Sequence, residues 1–249
     1  MKNMILNKSN LFSTRILTRI SLLIALNIIL SRFLGTMLPI AGFPTVKISF
    51  SHVPLFVAGI LYGPLAGFIC GFISDYLGSF IDSSGGGVFI PGFKFLFSFT
   101  SGLTGMIPAL IFKFTYNTDR NFSKMNTIFM VFVSVCLIIV FRAKGVLISE
   151  NIFFISLLCI VTLIFIYLPK VVAKSQVLKK TLVSFQKVYF AVNVTRIITS
   201  IFLNTYILSI MFGKGVIAFL PGRIVTNIIM IPLLSIVTTI IIDALTFEK

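Results

Sequence analysis

The chain has 249 residues, 57% of them hydrophobic and 11% charged, with 28 Phe among them, and a mean hydropathy of +1.10. That usage excludes a water-soluble globular domain. Its 21 Lys and Arg against 6 Asp and Glu give a formal charge of +15, but the basic residues fall between apolar runs and act as topology signals, which excludes nucleic acid as a partner.

Several apolar runs approach the ~20 residues that an α-helix needs to cross a bilayer, and no stretch alternates as a membrane β-barrel does. The expected fold class is all-α, a polytopic integral membrane helical bundle. The first run, 15–37, follows a short basic segment; no small-residue cleavage site comes after it, so it reads as a retained helix and not as a secretion signal. The next stretch, 38–51, carries Pro39, Gly42 and Pro44 and is expected to stay out of helix. Runs at 51–62 and 64–81 then predict two helices, because Pro64 fits the first position of a new helix better than an interior one. The segment 82–93 holds three consecutive glycines, Gly85, Gly86 and Gly87, ahead of Val88, Phe89 and Ile90, and reads as a mobile lid over a pocket. The remaining helices are expected at 95–114, 127–141, 151–168, 188–212 and 217–243.

With the amino terminus in the cytoplasm, most Lys and Arg fall on the cytoplasmic side, as the positive-inside rule requires. The opposite side keeps Arg32, Lys47, Lys94, Lys214 and Arg223 beside the Gly- and Pro-containing loops, and basic residues on their disfavoured side point to an anionic ligand there. Asp75 is an isolated ionisable residue among Phe72, Ile73 and Leu77, so it faces either a pocket or an ion-pair partner such as Arg32 or Lys94. On the 188–212 run, Asn193, Arg196 and Asn204 are spaced so that the three do not share one face; Arg196 reads as a snorkelling residue near the cytoplasmic end. Asn204 and Tyr206, nearer the outside, offer hydrogen bonds to a heterocycle, and Arg223 offers a bidentate partner for a carboxylate. Phe93 is one of four loop phenylalanines with flat apolar surface for such a ring. His52 is the single histidine and supports neither a metal site nor a catalytic triad. Cys70, Cys136 and Cys159 lie in apolar runs without metal-ligand spacing and read as free thiols, so neither a metal nor a cofactor is expected. Gly59, Gly63, Gly67 and Gly71 recur every four residues, a spacing that lets helix backbones approach closely within the subunit.

Several of these segments resemble the folate-specific substrate-binding subunit, or S component, of energy-coupling-factor (ECF) vitamin transporters. They include Val53-Pro54-Leu55-Phe56 through Gly63-Pro64, Ile73-Ser74-Asp75-Tyr76-Leu77-Gly78, Phe89-Ile90-Pro91-Gly92-Phe93 with the following Thr100-Ser101-Gly102, Leu203-Asn204-Thr205-Tyr206 through Lys214, and Leu220-Pro221-Gly222-Arg223. The resemblance implies six family helices. It divides the chain into a cytoplasmic segment 1–14, helices one to four over 15–115, an inserted helical hairpin with basic flanks over 116–187, and helices five and six over 188–249. It also implies a docking role for the small-residue pair Ser21 and Ala25 on the first helix, against the transmembrane coupling subunit. Ligand contacts are then expected from Arg32, Lys47, Asp75, Phe93, Lys94, Asn204, Tyr206 and Arg223.

The function so implied is capture of folate or a reduced folate outside a bacterial cell by a multi-pass membrane protein, with release inside after docking. No Walker A motif is present, so two partner subunits would hydrolyse ATP. An S component for pantothenate, thiamine or a queuosine precursor is the nearest alternative. A membrane enzyme is disfavoured because one His and six acidic residues leave little to build a catalytic cluster, and a channel because no continuous polar path is evident.

Overall fold

The computed structural model describes residues 13–33, 35–40, 43–81, 91–115, 121–143, 152–173, 184–213 and 215–247. Its helices are α1 (Thr14–Phe33), α2 (His52–Tyr62), α3 (Pro64–Ile81), α4 (Pro91–Phe114), α5 (Phe122–Ala143), α6 (Ile152–Val172), α7 (Phe185–Phe212) and α8 (Val216–Phe247). Among the described residues, six helices are long and apolar enough to cross a membrane. A helix pairs its backbone groups internally, as a segment surrounded by hydrocarbon must, save where an interior proline has no N–H to give, at Pro108, Pro221 and Pro232. The expected helices are all present, with ends displaced by a few residues; α5 starts at Phe122 and not at residue 127.

The segment between α1 and α2 stays out of helix, as expected, and folds as a β-hairpin. Strands β1 (Thr36–Ile40) and β2 (Phe43–Ile48) pair antiparallel, with an irregularity at Leu38/Pro39 and Pro39 facing Pro44. A two-stranded ribbon has only edges, which is where a strand tolerates a residue without an N–H. After β2 the chain runs down the side of α1. Ser49 Oγ donates to the Leu30 carbonyl at 3.2 Å, and the Asn27 side-chain amide donates to the carbonyl of Ser51. Asn27 lies six residues before the end of α1, about 9 Å below it at 1.5 Å per residue. The descent explains why α2 has only 11 residues, about 16 Å, against the ~30 Å hydrocarbon core. Non-helical backbone at that depth is tolerated only when buried in protein, and Ser49 and Ser51 are both buried.

At the far end of α2, Gly63 takes φ +99° and its N–H donates to the Gly59 carbonyl at 2.9 Å, while Pro64 opens α3. The left-handed φ needs glycine, and proline at the first helical position gives up no bond. The helices on either side then press against α4. A Cβ on Gly59 or Gly67 would land on the Gly105 carbonyl oxygen, one on Gly71 on that of Ser101, and one on Gly105 on that of Gly67. Gly59, Gly67 and Gly71 of the repeat therefore form a packing seam within the subunit, as expected, whereas a Cβ on Gly63 would meet nothing within 4 Å and that glycine serves the turn. Backbone cannot yield as a side chain does, so Gly105→Ala is expected to cost at least the ~1–3 kcal/mol typical of overpacking. A fall in the yield of monodisperse protein in detergent would register it; unchanged yield and melting temperature would contradict the close approach.

Helices α5 and α6 form an antiparallel pair through Ser134 and Thr162 (2.7 Å) and through Asn126, whose amide donates to the Phe165 carbonyl at 3.1 Å. The same Asn126 accepts from the Asn193 amide of α7 at 2.7 Å, tying the pair to the rest of the bundle. The apolar core between α2, α7 and α8 includes Phe56, Val188, Tyr189, Ile231 and Leu234, all at most 1% exposed. Midway along α7, residues Ile197–Leu203 widen into a π-helical segment. That irregularity has no counterpart in the expected straight helix, and such segments are often found at functional sites.

Candidate functional site

Polar side chains collect along one seam through the bundle. At its hairpin-side end, Ser98 of α4 donates to Asp75 of α3 at 3.1 Å, and Arg32 of α1 lies within electrostatic reach of Asp75. The Arg32 guanidinium rests against Gly78, where a Cβ would come within 3.0 Å of its Nη2. Deeper in, Thr100 of α4 donates to Asn204 Oδ1 of α7 at 2.7 Å. The next level is the π-segment. Thr205 donates to the Ser200 carbonyl at 3.2 Å, and Arg223 Nη1 of α8 donates to that same carbonyl at 2.9 Å and to Ser200 Oγ at 3.4 Å. Asn227, one turn along α8, donates to Ser200 Oγ at 3.2 Å and to the Arg223 carbonyl at 2.8 Å. Its Oδ1 accepts from Arg196 Nε at 2.9 Å, and Arg196 Nη1 meets His52 Nε2 at 3.0 Å.

Two guanidinium groups thus lie around the Ser200–Asn227 pair in the interior of a membrane bundle, Arg196 at 5% exposure and Arg223 at 7%. Burying charge in hydrocarbon is costly, and intramembrane basic residues mark ligand or ion pathways far more often than they serve packing alone. A guanidinium only donates hydrogen bonds, so a cluster of this kind is chemically suited to holding an anion. Among the described residues no three His, Cys, Asp or Glu side chains come together as a metal ion would need. The three thiols are free.

The structure brings together Arg32, Asp75, Asn204 and Arg223 of the residues singled out in the sequence, though at different levels of the seam. Arg223 lies seven residues into α8, about 10 Å from its start, and not at the helix end. Lys94, one turn before Ser98 on α4, has its Nζ 3.4 Å from the centre of the Phe80 ring and 5.2 Å from that of Tyr76, both rings being exposed in part. Phe93 and Gly92, expected in a loop, belong to the first turn of α4, because Pro91 starts the helix; Phe93 is half-buried. Tyr206 is 62% exposed and stays out of the seam; two residues on from Asn204 means about 200° around the helix. Lys47 pairs with Met37 across the hairpin, and its side chain lies outside the described residues, as do the three glycines expected to form a lid.

Arg196 is a correction to the sequence reading. It does not snorkel to the membrane surface but turns inward, because Asn227 and His52 supply acceptors in the bundle. Its neighbours on α7 do diverge as their spacing predicts: Asn193 reaches α5, Arg196 reaches α8 and α2, and Asn204 reaches α4. Sequence reasoning also missed Ser98, Thr100, Ser200 and Asn227, and gave His52 no role. The signal that was available is the recurrence of polar residues inside apolar runs, read as pairs across antiparallel helices.

A family model described as "ECF transporter, substrate-specific component" matches residues 15–242. Among solved structures the chain is similar to the crystal structure of FolT bound with folic acid, with a TM-score of 0.54 and 19% sequence identity, over 94% of this chain and 97% of that one. At that identity the likeness carries the fold. No curated protein sequence matches the chain.

Proposed function

Since the chain belongs to the family of ECF transporter substrate-specific components, we propose that its ligand is folate or a reduced folate, held at the polar seam. The observation that carries this reading is the pair of buried guanidiniums, Arg196 and Arg223, around Ser200 and Asn227. An anionic glutamate tail suits these donors. Asn204, Thr100 and Ser98 with Asp75 line the seam toward the hairpin, where a pterin's hydrogen-bonding edge finds partners of both kinds. Arg32, Lys47, Lys94 and Phe93 belong to the entrance side in this reading, with Lys94 drawing anions toward the mouth and Tyr206 least involved. Support for folate over another anion comes from the fold shared with FolT.

In the same reading the protein is a multi-pass subunit of a bacterial cell membrane with its hairpin outside, and α5–α6 is an inserted hairpin added to a six-helix core. It docks on a transmembrane coupling subunit served by two ATP-binding subunits. Ser21 and Ala25 are both exposed on α1, as a docking pair must be. The matched family is one of transporter components and not of enzymes.

The purified chain in detergent is expected to bind folic acid without ATP. Titration against folic acid, pantothenate and thiamine checks this: tighter binding of pantothenate, equal binding of thiamine, or binding only with ATP would overturn the assignment.

A further inference from the structure

We propose that His52, in its neutral form, is the positioning residue that holds Arg196 in the orientation that receives the ligand's carboxylate. The proposal rests on the reading of Arg196 and Arg223 as the anion site, and deepens it. A guanidinium has no acceptor atom. In the 3.0 Å contact between Arg196 Nη1 and His52 Nε2 the arginine must therefore donate and the imidazole accept, which fixes the tautomer with its proton on Nδ1 and leaves the ring neutral. Together with Arg196 Nε donating to Asn227 Oδ1 at 2.9 Å, this bond anchors the guanidinium at two of its three nitrogens. Among the described residues no acceptor engages the third, Nη2. Both Nη2 hydrogens are then available to an oxyanion.

The placement of His52 makes this anchoring possible. The descent of the chain along α1, pinned by Asn27 and Ser49, starts α2 deep in the bundle and opposite the middle of α7. The ring is flanked by Phe56, 6.4 Å away between centroids. Of the elements packed on α2, α8 carries Arg223 and, toward its far end, Asp243; α1 carries Arg15, Arg19 and Arg32; α3 carries Cys70, Asp75 and Tyr76; and α4 carries Lys94 and Lys113 toward its two ends. The bond to Nε2 comes from α7.

A second proton would turn Nε2 into a donor facing a donor and set two positive charges about 3 Å apart in a medium of low dielectric. His52 can therefore hold Arg196 only through a bare Nε2 lone pair.

The test measures folic acid binding to the full chain in detergent for the native protein and for His52→Gln, His52→Leu and Arg196→Gln. His52→Gln, whose amide oxygen still accepts, is expected to bind within about threefold of native. His52→Leu, which offers no acceptor, is expected to bind about tenfold more weakly, the scale of one lost hydrogen bond to a charged group. If His52→Leu binds as the native protein does, or His52→Gln binds as weakly as His52→Leu, the positioning role is wrong. Arg196→Gln separates the two levels: loss of binding there with unaltered His52 variants removes only the role of His52, whereas native binding by Arg196→Gln removes Arg196 from the anion site. Should His52→Leu fail to fold, His52→Gln decides, and a loss of about tenfold or more in it overturns the role.

Discussion

Replacing Arg223 with alanine is expected to weaken folate binding by at least about tenfold. The arginine is buried in α8 and fixed by Nη1 to the Ser200 carbonyl in the π-segment of α7. Hydrogen bonds to charged groups are worth about 1.5–3 kcal/mol each, and a decade of affinity is about 1.4 kcal/mol, so loss of one ligand contact reaches that threshold. Arg223 also braces α7 against α8, so a loss of affinity could arise from a disturbed scaffold. Pteroate, which lacks the glutamate tail, separates the two causes. A contact to a carboxylate of the glutamate tail predicts a large loss for folate and a small one for pteroate; equal losses for both ligands, or none for either, would refute it.

The second large effect is expected from Ala25→Leu on α1. Ser21 and Ala25 lie on an exposed face that also bears Leu22, 65% exposed, and Leu26, 39%. A leucine at a small-residue position blocks close approach of a partner helix without touching the seam, to which α1 contributes Arg32, seven residues further along. Folate binding by the purified subunit should remain within about twofold of native, while uptake in cells carrying the coupling subunits falls to background. Joint loss of binding and uptake would mean that the pair packs within the subunit, and native uptake would mean that docking uses another face.

The membrane class and the helices were legible because the bilayer sets a length and forbids unpaired backbone polar groups, and both rules write themselves into long apolar runs. Gly63-Pro64 was legible for a similar reason: few residues satisfy a left-handed turn followed by a helix start. The β-hairpin was not, because Pro39 and Pro44 argue against strands unless the ribbon is all edge. At the site, Asp75, Asn204 and Arg223 stood out as polar residues in apolar surroundings. Arg196 stood out too but was sent the wrong way, since a lone sequence cannot show that Asn227 and His52 wait on other helices. The π-segment left no trace either; Ser and Thr are common in membrane helices, and the widening coincides with contacts from Arg223 and Asn227 to Ser200 that a lone sequence does not show.

Asn27 gives α1 a second identity. One side of this helix is the exposed face on which Ser21 and Ala25 lie, and the other sends the Asn27 amide to the carbonyl of Ser51, the residue joined to His52. A single rigid rod therefore connects a surface open to partners with the residue beside Arg196, over one hydrogen bond and one peptide link. Through such a rod two binding events share one free-energy cycle, and the cycle closes in both directions. Whatever factor an occupied α1 face imposes on folate affinity, folate must impose on occupation of that face.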